Sequence, residues 1–271
     1  MKELFDDPIR ENRPMGQQKE VIKPVMNKVP FSVNEAINVL RGNVQLSGNN
    51  IKAVAITSSL AHEGKSSMDF RLAKSMASLE KRVLYLDGDI RNSSTQIRYE
   101  IMGDKVGLSE YLCGEASKEK IIYHTDDQWL DMIFTGAKAP NPSALVSGPL
   151  FQDLMQFLKS IYDYVIVDTP PLNVVIDGLL IAKQCDGTVL VVESGLTERA
   201  QAEKARRQME YAGINILGAV VNKVRMNERR YGYGYGYGYG NYGYGYGYGE
   251  KESGQKGKGS ANRKKNGRSK R

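Results

Sequence analysis

The chain has 271 residues, 41% of them hydrophobic and 25% charged, an ordinary globular balance and enough for one large α/β domain or two small ones. The formal charge of +7 is local: residues 250–271 carry nine Lys/Arg against two Glu, so the rest of the chain is neutral and the pI near 9.2 describes the tail. Cys113 and Cys185 stand far apart, which argues against a disulfide scaffold or a zinc site. No window approaches about 18 apolar residues and the first residues lack the apolar core of a signal peptide, so the sequence predicts neither a membrane span nor export, and a reducing cytoplasm is the expected setting.

Residues 1–30 are polar, with prolines and scattered charge, and read as a flexible lead-in. Ser32 and Glu35 have the spacing of a capping box. The pattern after them predicts an amphipathic helix to about Leu46 with Ala36, Val39, Leu40 and Val44 inward. An αβ alternation follows. Strands are predicted at 51–57, 82–86, 130–134, 164–167, 188–192 and 216–221; helices at 65–79, 108–112, 150–161, 177–182 and 198–211. Short, continuously apolar strands between helices predict a parallel sheet covered on both faces.

Beyond Val224 the alternation stops. Residues 231–249 read YGYGYGYGYGNYGYGYGYG and hold nine of the sixteen tyrosines: Tyr231, Tyr233, Tyr235, Tyr237, Tyr239, Tyr242, Tyr244, Tyr246 and Tyr248. Glycine at nearly every other position raises the entropy cost of order, so a disordered segment is expected.

Three stretches carry chemistry. Ser59-Leu-Ala-His-Glu-Gly-Lys-Ser66 follows the first strand and opens a helix. It matches the phosphate-binding pattern G-x-x-x-x-G-K-[ST], except that Ser59 stands where the first glycine is usual. Backbone N–H groups around Glu63, Gly64 and Ser67 would cradle phosphate at a helix N-terminus, Lys65 would reach the β/γ-phosphates, and the Ser66 hydroxyl would bind Mg²⁺. Second, Leu84-Tyr-Leu-Asp-Gly-Asp-Ile-Arg91 sets Asp87 and Asp89 at the end of a buried strand, where one carboxylate can accept a proton and the other can hold Mg²⁺. Third, Val165-Ile-Val-Asp-Thr-Pro-Pro171 is an apolar run ending in Asp168, the arrangement that joins an Asp to the P-loop serine on Mg²⁺. Together they predict a P-loop NTPase-like parallel sheet that uses ATP and Mg²⁺.

These stretches, with Pro140-Asn-Pro-Ser143, resemble the bacterial tyrosine kinases (BY-kinases), whose Walker A, A′ and B motifs fall here on 59–66, 84–91 and 165–171. The resemblance covers roughly residues 32–225, and the family's tyrosine-rich C-terminus covers the rest. It implies a tyrosine autokinase of residues 31–225, with Lys65, Asp87, Asp89 and Asp168 catalytic and an acceptor tail at 226–249 followed by a basic tail at 250–271. It also implies a membrane adaptor as activator, a location on the inner face of the plasma membrane through that adaptor, and a role in polysaccharide synthesis and export. The family's ring-forming E-x-x-R-x-x-R reads Glu35-x-x-Asn38-x-x-Arg41 here, so Glu35 and Arg41 are the expected oligomerisation residues. Met68-Asp-Phe-Arg71 stands where small residues and an Asn are usual, and Asp69 lies one turn from Lys65, where it competes for its charge. Asn222 either reads an adenine base, as the resemblance implies, or caps a loop. His62 either contacts phosphate or is exposed. Asp177 either orients the third stretch or starts a helix.

Two other readings share these features. A MinD/ParA-like positioning ATPase has the same fold, but typically carries a second lysine early in the P-loop, and Ser59–Glu63 has none. A module that binds nucleic acid through its Tyr/Gly and basic tail would keep the nucleotide site for regulation.

Overall fold

The computed structural model describes residues 21–224. In chain order the elements are α1 (Phe31–Leu46), β1 (Ala53–Ser58), α2 (Lys65–Ala77), β2 (Val83–Asp87), α3 (Thr95–Arg98), α4 (Leu108–Leu112), α5 (Lys118–Ile121), β3 (Tyr123–His124), β4 (Leu130–Ile133), α6 (Pro142–Ser147), α7 (Pro149–Ile161), β5 (Tyr164–Asp168), α8 (Asp177–Ala182), β6 (Gly187–Glu193), α9 (Arg199–Tyr211) and β7 (Ile216–Asn222). The strands form one sheet in the order β3-β4-β2-β5-β1-β6-β7. All pairings are parallel except β3 with β4.

The central strands are buried, all but Tyr164 at the start of β5 completely, which is why they read as unbroken apolar runs. Their side chains alternate between two cores. Val54, Ile56, Val83, Tyr85 and Ile166 join Phe70, Leu72 and Met76 of α2 and the inner stripe of α1. Ala53, Leu84, Leu86, Val165 and Val167 join Phe151, Leu154 and Leu158 of α7 on the other face. Each fully buried Leu, Ile or Phe contributes about 1.5–3 kcal/mol, so the central strands and their two helical covers carry much of the stability. A third cluster, around Leu190, Ala205 and Met209, seats α9 on β6.

Helix α1 departs from expectation at both its start and its face. Pro30, not Ser32, precedes the helix; its carbonyl accepts from Val33 and Asn34, and no side chain caps the end. The proline's fixed φ starts the helix early and puts Ser32 inside the first turn, so the capping box is not made. The buried stripe is Ile37, Leu40 and Val44, whereas Val39 is 63% exposed and Ala36 is exposed. The i, i+3, i+7 line through Ile37 meets α2, and Ala36 and Val39 fall to one side of it. The described end of the expected lead-in is also tied down: Ile22 is buried, donates to the His124 carbonyl (2.9 Å) and accepts from Asp126 (2.9 Å), and Val25 donates to the Tyr99 carbonyl (3.0 Å).

Strand order fixes the site. β5 lies between β1 and β2, so the loops leaving the carboxyl ends of these three strands converge, as open α/β sheets require. Among the described residues no helix is long and apolar enough to cross a membrane. The Tyr/Gly stretch and the basic tail, with every predicted acceptor tyrosine, lie outside the described residues.

Candidate active site

The loop between β1 and α2 is held from inside. The Glu63 carboxylate is buried and accepts from the Ser59 hydroxyl (3.0 Å), the Leu60 N–H (2.8 Å) and the Thr197 hydroxyl. This explains Ser59 at the usual glycine position: its hydroxyl satisfies a buried carboxylate. From outside, Asn222 donates its amide to the Glu63 carbonyl (2.9 Å), and Lys223 donates to the His62 carbonyl (2.7 Å) and pairs with Glu193 (2.7 Å). Asn222 thus ties the end of β7 to the loop. His62 is exposed, with a φ of 67°. Gly64, at φ 88°, precedes α2, and a Cβ there would lie 2.2 Å from the Asn222 amide nitrogen. Conformation and contact both require glycine.

At the first turn of α2, Lys65 donates to Asp168 (2.8 Å), lies 3.2 Å from the Ser66 hydroxyl and 3.9 Å from an Asp89 oxygen. Burial alone would lower the lysine's pKa; the charge and hydrogen bond of Asp168 outweigh it and hold the ammonium above its ordinary value. Asp87 is buried, and accepts from the Ser93 hydroxyl and from the Asp89 N–H (3.3 Å). Burial, with the neighbouring Asp168 charge second, pushes its carboxyl up to about 7. Burial also raises Asp89, against the pull of Lys65. Asp69 is fully buried beneath the site and one of its oxygens has no hydrogen-bond partner. Burial first and Asp168 second raise it well above the usual carboxylate range. Its charge acts on Lys65, but the lysine's hydrogen bond goes to Asp168.

The donor set suits a nucleotide with its magnesium. A glycine-hinged turn opens a 13-residue helix, and the ammonium of its first residue, Lys65, lies beside a serine hydroxyl and two carboxylates. Among the described residues no three His, Cys, Asp or Glu side chains form a metal cage. Mg²⁺ takes one or two carboxylates and leaves its other positions to phosphate and water.

Asp177, read as orienting the third stretch or starting a helix, stands at the start of α8; it is buried and binds Arg91 of the second stretch (2.5 and 3.2 Å) and the Ser143 hydroxyl (2.5 Å), and Arg91 also donates to Ser143 (2.9 Å). Other residues of the site were not singled out in the sequence. Arg91 and Ser143 lie within stretches already notable, which was the available signal. Thr197 and Ser93 had none, because each acts across the fold. Ser67 accepts from Arg98 (2.8 Å). Glu35 is exposed and accepts from Asn38 (3.0 Å), while Arg41 donates to the Ser75 carbonyl (2.9 Å) and hydroxyl (2.8 Å), so its guanidinium ties α1 to α2 within the chain.

An AAA domain family matches residues 51–194. The chain is 40% identical over 198 residues to the tyrosine-protein kinase CpsD of Streptococcus agalactiae, covering 73% of this chain and 86% of that protein. It is 34% identical over 228 residues to the tyrosine-protein kinase YwqD of Bacillus subtilis, covering 83% and 94%. The kinase domain of the Escherichia coli tyrosine kinase ETK superposes with a TM-score of 0.69 at 29% identity, over 82% of this chain and 89% of that one. With these sequence relatives covering most of their own lengths, and a matching fold, the chain belongs to the bacterial tyrosine-protein kinase family.

Proposed function

We propose that this chain is an ATP-dependent tyrosine autokinase whose acceptors are the nine tyrosines of its own tail, supplied by a neighbouring copy. The observation that carries the reading is the convergence of Lys65, Asp87, Asp89 and Asp168 at the ends of adjacent strands beside a pre-shaped phosphate loop. Bound ATP with Mg²⁺ supplies the phosphoryl group and part of the charge screening. The protein does the rest. Backbone N–H groups of residues 63–67 hold phosphate, and Lys65 neutralises charge that develops on the transferring group. Ser66, Asp89 and Asp168 hold the metal. Asp87 accepts the proton of the incoming phenol, and a carboxyl near 7 suits a base working at neutral pH.

The domain assignment follows: residues 31–225 catalyse, 226–249 are modified, and the basic residues 250–271 set the tail's charge. A coil of about 20 residues spans on the order of 25 Å, and roughly 65 Å when extended, enough to reach an adjacent site. Each phosphate adds about −1.5 to −2 charge. Nine would far exceed the tail's +7, so the modified tail leaves its neighbour. Assembly into a homo-oligomer, a membrane adaptor as activator and a place on the inner face of the plasma membrane complete the proposal, with polysaccharide export as the process served. Nucleic acid is not a favoured partner. The test is transfer of labelled phosphate from ATP onto the purified full-length chain, with and without the cytoplasmic segment of a genome-adjacent adaptor. Label on tyrosine that is lost in Lys65→Met supports the proposal. ATP hydrolysis without phosphotyrosine under both conditions would move the chain to the positioning ATPases.

A further inference from the structure

The segment from Ser93 to Tyr99 lies outside all three motifs, yet it grips two of them. At one end the Ser93 hydroxyl donates to Asp87. At the other, the Tyr99 hydroxyl donates to the Ser66 carbonyl (2.8 Å), and Arg98 donates to the Ser67 hydroxyl (2.8 Å) while also binding Ser94 (3.2 Å). Two consecutive residues of the phosphate-binding turn are thus held by two consecutive side chains of one short element.

Tyr99 is itself fixed on three sides. It is 4% exposed. Its ring lies on Phe70 with centroids 4.2 Å apart, and Phe70 meets Tyr85 edge-on at 5.2 Å. Its N–H donates to Thr95 (3.0 Å), and its carbonyl accepts from Val25 of the entering chain (3.0 Å). A phenol locked in this way adds a donor to a backbone carbonyl of the helix's first turn. That carbonyl belongs to the residue whose own hydroxyl faces Lys65, and a site residue is only as precise as the shell that supports it.

We infer that Tyr99 is a positioning residue for this reaction, acting through the Ser66 backbone to place the Ser66 hydroxyl for the metal-nucleotide complex. The inference rests on the nucleotide site proposed above. It predicts a defect in how the turn meets Mg²⁺, distinct from a general loosening of the fold.

The experiment measures binding of fluorescently labelled ADP to the full-length chain across a Mg²⁺ titration, without any requirement for turnover. Tyr99→Phe keeps the ring and removes only the hydroxyl. Tyr85→Phe removes a hydroxyl from the same aromatic cluster, 3.5 Å from Thr95 and without contact to the turn, and serves as the control. The half-saturating Mg²⁺ concentration should rise about fivefold or more in Tyr99→Phe, with nucleotide affinity in EDTA unchanged within about twofold, and should stay at the wild-type value in Tyr85→Phe; a fivefold shift is about 1 kcal/mol. An equal shift in both variants, or none in Tyr99→Phe, would overturn the positioning role while leaving the kinase reading intact. Failure of the wild type to bind the Mg²⁺-nucleotide would overturn both.

Discussion

Asp87 and Asp168 are register partners at the carboxyl ends of adjacent parallel strands β2 and β5. At Asp87, burial first and the nearby Asp168 charge second favour the protonated form. Its carboxyl rises to about 7, while Asp168 accepts from the Lys65 ammonium at 2.8 Å. The sheet thus gives two identical side chains different surroundings: Asp168 pairs with Lys65, and Asp87 is the base of the proposed reaction.

Asp168→Asn keeps the shape and removes the charge that partners Lys65. Phosphotransfer should fall by about 10²-fold or more, because charge arranged around the transferring group is the main resource of such a site. Asp87→Asn should cost a similar factor through loss of the base. Initial rates of phosphotyrosine formation at saturating ATP measure both. A loss under about threefold in either variant would contradict its assigned role.

Thr197→Val tests the inner brace of the phosphate loop. The change preserves volume and leaves the buried Glu63 carboxylate short of one donor. A buried acceptor left wanting costs about 1–3 kcal/mol. Urea unfolding should show that loss, and the KM for ATP should rise severalfold, because the strained loop supplies the phosphate contacts.

How much of this was legible beforehand varied with the range of the interaction. The strands announced themselves because buried parallel strands need unbroken apolar runs, and the three motifs because each follows such a run. Short elements such as α3, α5, α6 and β3 escaped, since four to six residues give little periodicity and β3 pairs through only two. The buried face of α1 was misjudged because Val39 is as apolar as Ile37, and only the position of α2 decides which faces inward. Thr197, Ser93 and Tyr99 act on residues fixed by the fold, and a hydroxyl before a helix or an aromatic in a core carries no local mark of that duty.

Glu110 gives a stability test with a definite sign. Burial alone would raise its carboxyl, but the N–H groups of Ala137 (2.9 Å) and Gly107 (2.8 Å) outweigh it and hold the pKa below the ordinary value. A depressed carboxyl stabilises the fold above its unfolded pKa, and that stabilisation fades as pH falls through the folded one. Wild type should therefore exceed Glu110→Gln in thermal midpoint at pH 7, and the gap should close below the ordinary Glu pKa of about 4.3. A gap that widened on acidification would contradict this.

The two thiols should separate cleanly. Cys113 is exposed, whereas Cys185 is half-buried, and the burial around its sulfur, with the Asp186 charge second, pushes its thiol up to about 12. A thiolate is the reactive form. At pH 8 an aromatic disulfide reagent should titrate one thiol per native chain within minutes and the second only after denaturation. Two fast thiols would contradict the shielding of Cys185.

The central claim is that this chain phosphorylates its own tail, and phosphosite mapping by mass spectrometry tests it most directly. The full-length chain is incubated with Mg²⁺-ATP, with the adaptor segment present, beside Lys65→Met. Phosphotyrosine is expected between Tyr231 and Tyr248 and absent from the mutant. In a mixture, active enzyme should also modify the tail of the Lys65→Met chain, as transfer between copies requires. An unmodified tail in an active, ATP-consuming preparation would contradict the account.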